Sequence, residues 1–194
     1  MKEYKLPVES FFGAWFIDTK ICDDLVEFYK KVPKKFKSLG KVVRDNIPTI
    51  EPETKDSIDL KISHTDIQSP IKEYRNALQN CLNNYIKKYP EVNTYDKFNI
   101  NEDFNIQYYK PKGGFKPWHF ERSNYSSSKR VLVFSTYLND LEEGGTEFKY
   151  QKLKLPAKKG LTLIFPPDWT HTHRGVISST HEKYIITGWF SLND

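Results

Sequence analysis

The feature that most limits how this chain can fold is a series of short, turn-separated apolar segments in its second half. Residues 104–109 (FNIQYY), 130–138 (RVLVFSTYL), 146–150, 161–165 (LTLIF) and 184–190 (YIITGWF) are rich in β-branched and aromatic residues. Turn formers separate them, at Pro111-Lys112-Gly113-Gly114, 139–145 (NDLEEGG) and 156–160. Branched and aromatic side chains pack well on a pleated surface, while Gly, Pro, Asn and Asp supply the backbone angles of turns. No helical period interrupts the series. The strands are therefore expected to form a β-sandwich or barrel rather than a parallel α/β sheet.

The first half has a different texture. Residues 10–17 (SFFGAWFI) predict a first strand or a covering edge. In 23–32 (DDLVEFYKKV), Leu25, Phe28 and Tyr29 recur at helical spacing, with acids first and lysines last, in keeping with the helix dipole. Pro33 ends that helix. Residues 34–56 contain Gly40, Pro48 and Pro52 and read as a long loop with one short strand at 41–44. A second helix is expected from Ser69-Pro70, with Ser69 as cap and Pro70 in the first turn. Its buried stripe would be Ile71, Tyr74, Leu78, Cys81, Leu82 and Tyr85, and it closes near Lys88. The expectation is one domain over 1–194, α+β but mainly β. A helical, loop-rich part (1–102) packs on a β core (103–194).

Composition narrows the function classes. An aromatic content of 15% and a hydrophobic content of 38% argue against disorder. The net charge of +5 is mild and its lysines are spread along the chain, so nucleic acid is not an expected partner. Cys22 and Cys81 lie in apolar, helix-like settings without a C-x-x-C pair, which reads as two buried thiols in a reducing compartment. No sustained apolar run marks a signal peptide or a membrane span. A cytoplasmic protein is expected, with no membrane partner; nothing in the sequence fixes an oligomeric state.

The chemistry concentrates in the β half. In Pro117-Trp118-His119-Phe120-Glu121, an imidazole and a carboxylate stand two residues apart, and on an extended segment i and i+2 share a face. A third ligand can come from Trp169-Thr170-His171-Thr172-His173, whose two histidines also share a face. Two histidines and a carboxylate form the arrangement of non-haem Fe(II) sites with open positions. Zinc sites also use His2Glu, although the helical H-E-x-x-H form is absent. Lys183 opens the last apolar strand. It is either a snorkelling edge lysine or, if the strand lines a barrel, a cation for a dicarboxylic co-substrate. Trp118, Trp189 and the polar 122–129 loop are candidate walls and lid.

His119-x-Glu121, then His173, then Lys183 ten positions later, resembles the Fe(II)- and 2-oxoglutarate-dependent dioxygenases, most of all the prolyl 4-hydroxylase type. The segments 137–140 (YLND), 143–148 (EGGTEF) and 156–160 (PAKKG), and Lys183-Tyr184 followed by Gly188-Trp189, are similar to that family's strand-and-turn pattern. The resemblance covers roughly residues 105–190. It implies a double-stranded β-helix (jelly-roll, cupin-like) core, with iron on His119, Glu121 and His173. Lys183 would bind the distal carboxylate of 2-oxoglutarate, and Tyr109 and Tyr137 would contact that co-substrate. Fe(II), 2-oxoglutarate and O2 are the implied cofactors, with ascorbate as a candidate reductant. The ten-residue spacing selects His173 over His171. Glu121 departs from the Asp usual in the family, and the lysine clamp differs from the arginine of nucleobase demethylases. The implied activity is hydroxylation of an unactivated C–H, first a prolyl or other amino-acid side chain in a peptide or protein. The alternatives are a small-molecule or nucleic-acid substrate, or a silent metal-binding module.

Overall fold

The computed structural model describes residues 1–44 and 47–193. In chain order the elements are β1 (Lys2–Glu3), β2 (Gly13–Phe16), α1 (Thr19–Lys31), β3 (Lys37–Leu39), β4 (Val42–Arg44), β5 (Ile47–Thr49), β6 (Ile58–Ile62) and α2 (Ile71–Lys88). There follow β7 (Phe98–Asn99), β8 (Phe104–Tyr109), β9 (Arg130–Tyr137), β10 (Thr146–Phe148), β11 (Leu153–Leu155), β12 (Leu161–Phe165), β13 (His173–Gly175) and β14 (Lys183–Leu192). The fold is mainly β with two α-helices, as expected. Every strand pairing among the described residues is antiparallel.

The main sheet runs β1-β2-β12-β9-β14-β8-β6-β3, with β7 against β14, and a smaller sheet runs β11-β10-β13. Strand alternation divides the main sheet into two faces. Phe104, Ile106, Leu132, Phe134, Ile186 and Phe190 pack with Leu25 of α1 and Tyr74, Leu78 and Leu82 of α2. The other face sends Val133, Tyr137, Leu163 and Phe165 toward Phe148 and Leu155 of the smaller sheet. Gly188 lies where the helix-side packing is tightest: a Cβ there would come within 2.5 Å of both Phe104 and Phe134. A buried hydroxyl chain pins α2 to the sheet, from Tyr74 Oη to Thr136 Oγ1 (3.0 Å) and on to Thr162 Oγ1 (2.8 Å).

Helix α2 buries the expected stripe, Ile71, Tyr74, Leu78, Cys81, Leu82 and Tyr85. Its start differs: the Ser69–Pro70 peptide is cis, Pro70 is the N-cap, and no side chain caps the helix. Helix α1 begins earlier than the sequence predicts, because Asp18 accepts from the Lys20 N–H at 2.9 Å and serves as the cap. The stretch read as a long loop at 34–56 carries a 3-10 turn and the strands β3, β4 and β5. Asp45 and Asn46, which that reading included, lie outside the described residues, as does Asp194 of the 1–194 domain. The first half does more than pack on the β core, since β2, β3 and β6 are strands of the main sheet. Cys22 and Cys81 are buried free thiols.

Candidate metal centre and its cavity

Strand β8 delivers the chain to a tight turn, where Gly113 is required: a Cβ would stand 2.7 Å from the Asp56 carbonyl oxygen. The chain then runs extended to His119. There it pairs with the start of β13: the His119 N–H donates to the His173 carbonyl (2.9 Å), and the His173 N–H donates to the His119 carbonyl (2.8 Å). This reciprocal bridge sets the two imidazoles side by side, ring centroids 4.4 Å apart. The Glu121 N–H donates to the Pro167 carbonyl at 2.9 Å, which turns its carboxylate toward both rings. Glu121 Oε1 lies 3.6 Å from His119 Nε2 and 3.5 Å from His173 Nε2. One ligand atom from each of the three residues falls within 4.8 Å of the others.

The surroundings fix the protonation of this set. His119 Nδ1 lies 3.0 Å from the Pro117 carbonyl oxygen and His173 Nδ1 lies 2.9 Å from that of His171. A carbonyl only accepts, so each Nδ1 carries the proton and each Nε2 presents a lone pair to the centre. Burial, with His173 as neighbour, pushes the His119 pKa down and keeps the ring neutral. Burial alone would raise Glu121, but the adjacent His119 and His173 outweigh it and hold the carboxyl well below its ordinary range. Trp189 Nε1 donates to Glu121 Oε2 at 3.1 Å, and Arg130 donates to the Glu121 carbonyl at 2.7 Å. The Arg130 guanidinium stacks 3.4 Å from the Trp189 ring centroid and pairs with Glu102 at 2.7 Å. Phe115 stacks on the His119 ring with centroids 3.7 Å apart.

These groups sit in one cavity of about 710 Å3 that Lys183, Tyr109, Tyr137, Trp118 and residues of the 122–129 loop also line. That loop, expected as a polar lid, is folded on itself: Asn124 and Ser127 form a reciprocal capping box, and Arg122 pairs with Asp168 at 2.7 Å. Lys183 is 5% exposed and has no carboxylate partner among the described residues. Its Nζ donates to the carbonyls of Gly144 (3.1 Å) and Val176 (3.2 Å) and lies 4.9 Å from the Tyr109 ring centroid. Burial lowers its pKa to about 8. Tyr137 Oη bonds Thr146 Oγ1 at 2.6 Å, and Tyr109 Oη donates to Gln107 Oε1 at 2.8 Å.

His171 takes no part in the cluster. Its Nε2 donates to the Ser10 carbonyl (3.0 Å), its Nδ1 bonds the Thr170 hydroxyl (3.0 Å), and its ring packs against Phe12. His64 bonds Asp103 at 2.9 Å, and His181 bonds Thr180. Sequence reading missed a second polar group in the cavity: Lys55, Asp59 and Gln107, all buried, with Lys55–Asp59 at 2.7 Å and Ser57 donating to Asp59. The available signal was alternation, because Asn105, Gln107 and Tyr109 stand on one face of β8.

Residues 104–191 match the sequence pattern of the 2OG-Fe(II) oxygenase superfamily. No curated protein matches the chain. Among solved structures, a viral collagen prolyl hydroxylase from Paramecium Bursaria Chlorella virus-1, in a 2OG complex, superposes with a TM-score of 0.67 at 19% identity, covering 94% of this chain and 97% of that one. A Pseudomonas putida prolyl-4-hydroxylase gives 0.69 at 13% identity, over 96% and 97% of the two chains. A Trichoplax adhaerens prolyl hydroxylase, in complex with a hypoxia inducible factor oxygen degradation domain peptide fragment, gives 0.68 at 15% identity, over 94% and 84%. At these identities the likeness establishes the fold.

Proposed function

On the premise that residues 104–191 belong to the 2OG-Fe(II) oxygenase superfamily, we propose that the protein is an Fe(II)- and 2-oxoglutarate-dependent dioxygenase that hydroxylates a prolyl or other amino-acid side chain within a peptide. The two sheets are read as the halves of a jelly-roll core. One observation carries the reading: a metal-ready donor set and a buried ammonium without a carboxylate partner face one cavity. A metal-binding module has no use for that ammonium, whereas a dicarboxylic co-substrate needs it.

The donor set fits Fe(II), since two neutral imidazole nitrogens and one carboxylate leave open positions for a chelating ligand and O2. His119, Glu121 and His173 would hold the metal. When bound, Fe(II) with 2-oxoglutarate supplies the O2 activation that an unactivated C–H requires. The protein's own residues do the rest. Lys183 holds the distal carboxylate of 2-oxoglutarate by a charge-assisted bond, strong in a dry interior. Trp189 fixes the Glu121 arm, which is one methylene longer than an aspartate, by donating to Oε2. Phe115 and Phe148 wall the histidine rings and keep water from their faces. Trp118 and the paired strands β4 and β5 line the mouth, where an extended peptide would lie.

A peptide substrate is supported by the fold shared with the Trichoplax protein, whose structure holds a peptide fragment. The test is to incubate the Fe(II)-loaded protein with 2-oxoglutarate and ascorbate, alone and with a proline-rich peptide panel, free proline and free lysine. Succinate release coupled to a peptide mass gain of one oxygen is the expected result. Succinate release without modification of any amino-acid substrate would keep the dioxygenase and reject the peptide. No succinate under any condition would reject both.

A further inference from the structure

Gln107 is 7% exposed and stands on the cavity face of β8. Cross-strand pairing gives its place. On β14, Lys183, Ile185, Thr187 and Trp189 line the cavity in alternation. Lys183 stands opposite Tyr109, and Ile185 opposite Gln107. Trp189, at the far end of this row, bonds Glu121. Gln107 is therefore one step inward from the Lys183 clamp, along the line a bound 2-oxoglutarate must span to reach the metal ligands.

The hydrogen bonding of its amide is lopsided. Burial, with the Asp59 charge nearby, raises the Tyr109 pKa, so the phenol keeps its proton and gives it to Gln107 Oε1 at 2.8 Å. Asp59 stands directly across from Gln107 on β6. Its oxygens accept from Lys55 (Oδ2, 2.7 Å) and Ser57 (Oδ1, 2.7 Å), and neither accepts from Gln107. Gln107 Nε2 thus carries two N–H groups that find no protein acceptor among the described residues. Nε2 is not among the sealed side-chain atoms without a partner, and Gln107 lines the cavity, so a ligand there can meet its N–H groups.

Lys183 has the complementary shortfall. Two of its three N–H groups go to the Gly144 and Val176 carbonyls, which leaves one for a ligand. A carboxylate offers about four lone-pair sites. We propose that Gln107 is a second anchor of the 2-oxoglutarate distal carboxylate, donating from Nε2 beside Lys183, and that Tyr109 is a positioning residue which acts through Gln107 by holding its amide oxygen. This rests on the dioxygenase reading. It revises the direct co-substrate contact that the family resemblance implies for Tyr109.

The experiment is an anaerobic calorimetric titration of the Fe(II)-loaded protein with 2-oxoglutarate and with 2-oxopentanoate. The second ligand has the same chelating end and chain length but carries a methyl in place of the distal carboxylate. Gln107→Leu should weaken 2-oxoglutarate about tenfold, the scale of one lost hydrogen bond to a charged group, and leave 2-oxopentanoate unchanged. Tyr109→Phe should give a smaller loss of the same selectivity. The double variant should bind no worse than Gln107→Leu alone. It removes both partners of the Tyr109–Gln107 bond, so it orphans neither and stays informative if Gln107→Leu does not fold. Wild-type affinity for 2-oxoglutarate in Gln107→Leu or in the double variant would overturn the inference, as would equal losses for both ligands. A wild-type protein that binds no 2-oxoglutarate would refute the dioxygenase reading, and the inference with it. Intact wild-type binding with unaffected variants refutes the inference alone.

Discussion

At the scale of single residues, the role proposed for Lys183 would couple co-substrate binding to stability with opposite signs. Its pKa is lowered by burial from 10.5 to about 8 in the folded protein. Between those values the unfolded chain holds the proton and the folded chain has shed it, so stability of the metal-free protein should rise with pH across that window. Below about pH 8 the buried ammonium costs the fold on the order of a few kcal/mol. In the proposed role, binding of 2-oxoglutarate needs that same proton. The apparent kcat/KM for 2-oxoglutarate should therefore fall above pH 8, by about tenfold per unit at most. Lys183→Arg should flatten the limb, because guanidinium keeps its charge throughout. Lys183→Met should raise the thermal midpoint of the metal-free protein and abolish the 2-oxoglutarate response. A lysine variant without effect on either quantity would remove Lys183 from the site. The sequence pointed to this residue only through its spacing from His173. Its burial, and its lack of a carboxylate partner among the described residues, depend on β14 lining a cavity, which no local pattern reveals.

At the scale of elements, α2 was legible because a stripe at 3.6-residue period faces a single surface. Ile71 through Tyr85 bury as the period requires. Its N-terminus was not legible, because a Ser-Pro pair fits either a capped first turn or a cis turn, and contacts outside the pair decide which. Strand β5 was hidden by Pro48, which removes a ladder donor and reads as loop, yet among the described residues β5 pairs with β4 alone, and a proline is tolerated on such an edge. The helix-to-sheet contact carries its own prediction. Tyr74 is fully buried, and its hydroxyl heads the chain through Thr136 to Thr162. Tyr74→Phe keeps the ring packing and removes only that bond, so urea unfolding should show a lowered midpoint with an unchanged slope, a loss of about 1–2 kcal/mol in unfolding free energy. A midpoint equal to wild type would mean the hydroxyl chain adds nothing to α2 docking.

At the scale of the whole molecule, the β half looks self-sufficient in the sequence, since it carries the family pattern, both histidines, Glu121 and Lys183. The pairings say otherwise. The outer edge of β8 is closed by β6 through five registered pairs, from Ile58–Tyr108 to Ile62–Phe104, and the outer edge of β12 is closed by β2. Both closing strands come from residues before 103, and so do α1 and α2, which cover Phe104, Ile106, Phe134, Ile186 and Phe190. Each such side chain contributes about 1.5–3 kcal/mol when buried. Five of them exposed together cost as much as the whole stability of an ordinary domain, about 5–15 kcal/mol. Two bare edges add sites for intermolecular pairing. Residues 103–194 produced alone should therefore lack a cooperative unfolding transition, bind a hydrophobic dye and self-associate. Fe(II) should not rescue them, because the three proposed ligands are held by a sheet whose helix face is uncovered. A monomeric fragment with a sharp thermal transition would show that the first half is an accessory. Its failure, beside a full chain that unfolds in one step, would make the sheet that joins the halves the unit on which the site depends.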